Sequence, residues 1–155
     1  MSVRVFRLLL LFLCSSLCAE AEIKDTLVVA HDGSGKYDKI QDAIESIRAF
    51  MDYTVVVYVK NGVYKEKVVV PSWIKNVIIV GEDAEKTILT YDDGANINKM
   101  GTFRSYTLKI EGSDITLKNI TIENNAPKGT GQAVALHTAV DYGCFAPVAA
   151  FIESF

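Results

Sequence analysis

From Thr26 onward the chain breaks into short β-rich runs of three to nine residues, punctuated by Gly, Asn, Asp and Pro rather than by helices. Thr54–Val59 is followed by the turn pair Asn61-Gly62, Val68–Val70 stops at Pro71, and Asn76–Val80 is closed by Gly81. Thr87–Thr90, Thr107–Ile110, the long run Asp114–Ile122 and Ala133–His137 complete the series. A sheet of βαβ units needs a helix between successive strands, and no alternating helices separate these runs, so the strands must pair in an all-β stack. Short apolar strands with loops of uneven length suit a right-handed parallel β-helix, where insertions collect on one face. A β-sandwich fits the same alternation. The one hint of a repeat is the likeness of Asn76-Val77-Ile78-Ile79-Val80 to Asn119-Ile120-Thr121-Ile122-Glu123.

One helix is predicted near the start. Ile40, Ala43, Ile44, Ile47 and Met51 recur at helical spacing, and Asp38 with Gln41 reads as a capping box. Such a helix can close the open end of a β-stack, where a bare strand edge invites aggregation, or pack elsewhere on the sheet.

Residues 1–21 read as a signal peptide. Arg4 and Arg7 precede the apolar run Leu8–Leu17, and Ala19-Glu20-Ala21 offers a small-residue cleavage site. The run falls short of the roughly 20 apolar residues a membrane span takes. Without residues 1–21 the chain keeps 14 basic and 18 acidic side chains, a net charge of −4. That balance argues against nucleic acid as a partner. Cys14 and Cys18 leave with the leader, so Cys144 remains with no internal partner and packing must hold the fold.

The candidate site residue is Gln132, in Gly131-Gln132-Ala133-Val134-Ala135-Leu136. A side-chain amide on a strand can aim N–H donors at an oxygen that is becoming negative. A structural amide ladder is the plainer reading of a lone Gln.

Several motifs, taken in order, resemble the pectin methylesterase family. They are Val28–Gly35 with Tyr37, Ile40-Gln41 and Ala43-Ile44; Tyr58–Glu66; Gly81-Glu82-Asp83 with Thr87-Ile88; Gly101–Thr107; Ile120–Asn124; and Gly131–Leu136. The series covers residues 26–138, and Asp83–Thr87 with the lack of paired Cys resembles the bacterial branch. The resemblance implies a pectin-lyase-like right-handed parallel β-helix over residues 22–138, with a divergent tail at 139–155. It implies a secreted monomer, extracellular or periplasmic, that hydrolyses methyl esters of polygalacturonate. Its partner would be pectin, with no metal, cofactor or membrane association after leader removal.

In that family an Asp attacks the ester carbonyl to give an acyl-enzyme, and a second Asp acts as general acid and then base. The oxyanion-stabilising Gln matches Gln132, and the substrate-contacting Thr matches Thr102. The first catalytic Asp would fall at Phe155, and the second, with an orienting Arg, beyond it. Asp141 lies short of the expected place and lacks a preceding Gln. The expectation is therefore an incomplete gene product without its Asp pair, poorly folding because its stack ends uncapped. Alternatives are a non-catalytic β-helix that binds polyuronate, and a lyase or polygalacturonase, of which lyases would need clustered carboxylates for calcium.

Other residues attract plainer readings. Asp92-Asp93 reads as a turn with Gly94 rather than a glycosidase pair. His31 and His137 read as turn or core residues, and Trp73 as a loop residue that could stack on a sugar. Asn119-Ile120-Thr121 is a glycosylation sequon, but within a predicted strand its Asn is expected to be hydrogen-bonded and structural.

Overall fold

The computed structural model describes residues 22–139 and 149–150. The expected leader at 1–21, Asp141, Cys144 and most of the divergent tail lie outside the described residues. Within them the chain winds as a right-handed parallel β-helix of three sheets. The first sheet holds β1 (Ile23–Val29), β2 (Thr54–Val59), β5 (Lys75–Gly81) and β8 (Ser113–Lys118), in that order. The second holds β3 (Gly62–Lys65), β6 (Thr87–Tyr91), β9 (Thr121–Asn124) and β11 (Ala149–Ala150). The third holds β4 (Val68–Val70), β7 (Tyr106–Ile110) and β10 (Val134–Thr138). Every pairing is parallel, which rules out the antiparallel sandwich.

Alternation along each strand sends every second side chain inward, and parallel register stacks like on like. Leu27, Val57, Ile79 and Leu117 form one such ladder through the first sheet, at 8%, 0%, 2% and 0% exposure. Tyr64, Leu89 and Ile122 make the matching ladder in the second sheet, and Val68, Leu108 and Leu136 in the third. Each buried aliphatic side chain contributes about 1.5–3 kcal/mol, and no disulfide among the described residues is needed to hold the coil.

Two corners depart from expectation. The run Asp114–Ile122 is not one strand: Asn119, at φ 49°, bends it into β8 and β9 on different sheets. The likeness between the Asn76 and Asn119 segments is therefore not a structural repeat. The true equivalent of Val77 is Ile115, and the residues before them, Asn76 and Asp114, share positive φ values of 57° and 55°. Gly81 is needed where β5 meets this corner, because a Cβ there would stand 2.0 Å from the Asn119 carbonyl oxygen.

The predicted helix is shorter than its apolar spacing suggests. α1 spans Ile40–Glu45, while Ile47 and Met51 are buried beyond it in irregular chain. The capping box does not form: Lys39 is the N-cap and offers no side-chain bond. Instead the Glu66 carboxylate accepts from the backbone N–H of Ile40 at 2.8 Å and of Gln41 at 3.1 Å. Asp38 bonds to His31 Nδ1 at 2.8 Å, and the Gln41 Oε1 accepts from the Val69 N–H, so neither is free to cap. The helix buries Ile40, Ala43 and Ile44 in the same core as Leu27 and Val29.

Candidate functional site

Register makes the coils unequal: 22 residues separate Val55 from Val77, and 38 separate Val77 from Ile115. The excess lies at one corner, between the second and third sheets. Only Glu66 and Lys67 join β3 to β4, whereas residues 92–105 join β6 to β7 and residues 125–133 join β9 to β10. The two long connections lie side by side. The backbone N–H of Ala95 donates to the Gln132 carbonyl and that of Asn96 to the Thr130 carbonyl, both at 2.8 Å. Asn124, at the end of β9, binds both loops through its carboxamide nitrogen, which donates to the carbonyls of Ser105 (2.7 Å), Asp93 (3.0 Å) and Val134 (3.2 Å).

This corner brings Thr102 and Gln132, 30 positions apart, into contact: Thr102 Oγ1 donates to Gln132 Oε1 at 2.8 Å. Thr102 opens a 3-10 turn, Thr102–Arg104, whose carbonyl accepts from Ser105 Oγ at 2.7 Å. Gly131, at φ 85°, supplies the left-handed step before Gln132, and a Cβ there would stand 2.9 Å from the Asn96 carboxamide. Gln132 is exposed and precedes β10, which begins at Val134, so it presents its amide from the loop and not from an internal ladder. With Oε1 occupied, its two N–H bonds have no acceptor among the described residues.

Beside the pair, the outer face of the third sheet carries Tyr106, Lys109 and His137, with Lys109 and His137 in register. Phe103, 78% exposed, stands with its ring centroid 6.0 Å from His137, and Tyr106 lies 6.3 Å from the same imidazole. His137 thus faces the site side of the sheet, not the core, and its Nδ1 is buried without a partner among the described residues. The Lys109 ammonium meets Glu111 at 2.5 Å, and that hydrogen bond raises its pKa.

Beneath the β6–β7 loop, Lys67 donates to Asp93 Oδ2 at 2.6 Å and to the Arg104 carbonyl at 2.7 Å, and lies over the Tyr106 ring at 4.7 Å. It ties the first residues of the loop to the last. Asp92 pairs with Lys65 at 2.8 Å, and the hydrogen bond raises the lysine's pKa. Asp92 and Asp93 are accordingly ion-pair partners of lysines and not a paired-acid site. His31 stacks on Tyr64 at 4.3 Å, far along the chain from the corner, and Trp73 is 51% exposed in the β4–β5 loop. Sequence reasoning assigned no role to Lys67, Phe103 or Tyr106. Phe103 and Tyr106 stand within Gly101–Thr107, whereas Lys67 carried only the signal of a charged Lys65-Glu66-Lys67 step between two apolar strands.

Comparison with known proteins bears on this corner and on the coil beneath it. A pectinesterase family model matches residues 26–151, running past Thr138 into the tail. "Probable pectinesterase/pectinesterase inhibitor 23" of Arabidopsis thaliana is 39% identical over 123 residues, which are 79% of this chain and 22% of that protein. The chain spans about a fifth of the length of the first curated relatives it matches. Among solved structures, pectin methylesterase from carrot superposes with a TM-score of 0.73 at 34% identity, covering 77% of this chain and 37% of that one. A pectin methylesterase in complex with a hexasaccharide gives 0.66 at 27% identity, covering 72% and 38%. With the match covering most of its length and its strands wound in the same coil, this chain belongs to the pectinesterase family.

Proposed function

We propose that the corner bearing Thr102 and Gln132 binds the methyl-ester group of methyl-esterified polygalacturonate in a pectin demethylesterification site. The observation that carries this reading is the Thr102–Gln132 hydrogen bond, which occupies the amide oxygen and leaves the amide N–H bonds free. An ester carbonyl under attack becomes a tetrahedral oxyanion, and donors already aimed at it need no reorganisation at the moment of reaction. Thr102 fixes the rotamer of Gln132, while Phe103 and Tyr106 give apolar surface for a sugar ring.

The full route is an aspartyl acyl-enzyme one. A carboxylate attacks the ester carbonyl, methanol leaves with a proton from a second carboxylic acid, and water attacks the acyl-enzyme with that group as base. Among the described residues no Asp follows Gln132, so this reading gives them the amide side of the site only. A second reading is a β-helix that holds polyuronate without turning it over. Residues 1–21 support export as the setting, and among the described residues no helix is long and apolar enough to cross a membrane.

The test is a titration of the chain with methyl-esterified and de-esterified oligogalacturonates, alongside a methanol assay. The proposal expects preference for the esterified ligand, lost in Gln132→Ala. Equal affinity of wild type and Gln132→Ala for both ligands would sink it. Binding of both ligands without preference for the ester selects the non-catalytic reading.

A further inference from the structure

We propose that Asn119 is an N-glycosylation acceptor. Asn119-Ile120-Thr121 is the one Asn-x-Ser/Thr sequence in the chain, and the case against it was that a strand would bury and bond the Asn. The structure removes that case. Asn119 sits at the bend between β8 and β9 and is exposed, while the next two residues turn inward at 1% and 9% exposure. The Thr121 hydroxyl donates to the Ala84 carbonyl at 2.5 Å, which anchors the corner and leaves Asn119 at its tip.

Four other asparagines near the coil's corners spend their carboxamides on the fold. Asn61 Oδ1 accepts from Thr87 Oγ1, and Asn76 Nδ2 donates to the Met51 carbonyl. Asn124 holds three carbonyls, and Asn125 bonds to Thr90 and Glu123. Asn119 makes no side-chain hydrogen bond among the described residues. Its backbone requires a residue that tolerates positive φ, a need that Asp114 meets at φ 55° without any amide. The Asn119 carboxamide therefore has no structural work, and it points into solvent.

The reaction joins the Asn119 amide nitrogen to the anomeric carbon of a lipid-linked N-acetylglucosamine. The C–N bond forms, the glycosyl–pyrophosphate bond breaks, lipid pyrophosphate leaves, and the amide loses one proton. The glycan would rise from the junction of the first and second sheets, whereas Thr102 and Gln132 lie at the junction of the second and third. It leaves the candidate binding corner uncovered.

This inference rests on export, so the experiment separates the two. The chain is expressed in a eukaryotic secretory host behind its own residues 1–21 and, in parallel, behind a leader of proven function. Secreted protein from the second arm should migrate more slowly than its Asn119→Asp variant, which keeps a residue tolerant of positive φ. Peptide N-glycosidase should abolish the difference and convert Asn119 to Asp in the tryptic peptide. Secreted protein with unmodified Asn119 in the proven-leader arm overturns the proposal. Glycosylation there with no export from the first arm upholds the site and removes the signal-peptide reading alone.

Discussion

Thr102 and Gln132 are joined by a 2.8 Å hydrogen bond across two loops that leave the coil at the same corner. A neutral hydrogen bond of this kind contributes about 0.5–1.5 kcal/mol, enough to decide how often the amide adopts the rotamer that the proposed site uses. Thr102→Val, which keeps shape and removes the donor, should weaken binding of esterified oligogalacturonate by roughly 2- to 10-fold. Thr102→Ser should keep most of the affinity, and both variants should unfold near the wild-type denaturant midpoint. Calorimetric titration of the three proteins checks this, and a Thr102→Val affinity equal to wild type counts against the arrangement.

The loop that carries Thr102 depends on Lys67, whose pair with Asp93 leaves only 28% and 18% of the two side chains exposed. Removing the lysine strands a half-buried carboxylate and frees the Arg104 carbonyl. Lys67→Met should cost about 1–3 kcal/mol, between the values for exposed and fully buried pairs. Lys65→Met breaks an exposed pair with Asp92, 62% and 46% accessible, and should leave stability almost unchanged. Hydrogen exchange at the Arg104 and Ser105 amides should quicken in the first variant and not the second. Equal effects in the two would deny Lys67 its clamping role.

Glu66, not Asp38, supplies the first turn of α1 with its acceptor. Both carboxylate oxygens are used, on the Ile40 and Gln41 N–H groups, and a negative charge there also favours the helix dipole. Glu66→Ala should lower stability by about 1–2 kcal/mol, as the loss of an N-cap does. Asp38→Ala removes only an exposed contact with His31 and should change it by less than about 0.5 kcal/mol. Urea unfolding of the two variants gives the comparison, and the reverse order would restore the capping box.

These cases show what a sequence can and cannot reveal here. The strands were legible because period-two alternation reports burial directly: Val55, Val57 and Val59 are inward, and so are Val77 and Ile79. The bend at Asn119 was also written in the chain, as a phase slip. The inward residues run Ile115, Leu117 and then Ile120, Ile122, so the alternation skips one place at the corner. The cap was not legible, because its carboxylate comes from 26 positions downstream, brought to the helix by the first turn of the coil. The Thr102–Gln132 contact was hidden for the same reason. Family motifs pointed to each residue, but nothing local says that loops of unequal length will lie flush.

Tyr64 is the group whose titration should be visible in stability. It is 1% exposed, its hydroxyl donates to the Lys60 carbonyl at 2.9 Å, and burial, assisted by Asp32, Asp38, Glu66 and Glu82, pushes its pKa up to about 12. In the unfolded chain the same phenol ionises near the ordinary value of about 10. A folded pKa above the unfolded one means that the stabilisation is complete below about pH 10 and is lost as pH rises toward about 12. The loss across that window amounts to about 2–3 kcal/mol. Tyr64→Phe should be less stable than wild type at neutral pH by about 1 kcal/mol, through the missing hydrogen bond. It carries no phenol to ionise, so its deficit should shrink and then invert across the alkaline window. Denaturant midpoints of the two proteins, measured in parallel from neutral to strongly alkaline pH, test this. Parallel curves that never approach one another would show that the Tyr64 hydroxyl is not held in the buried, protonated state.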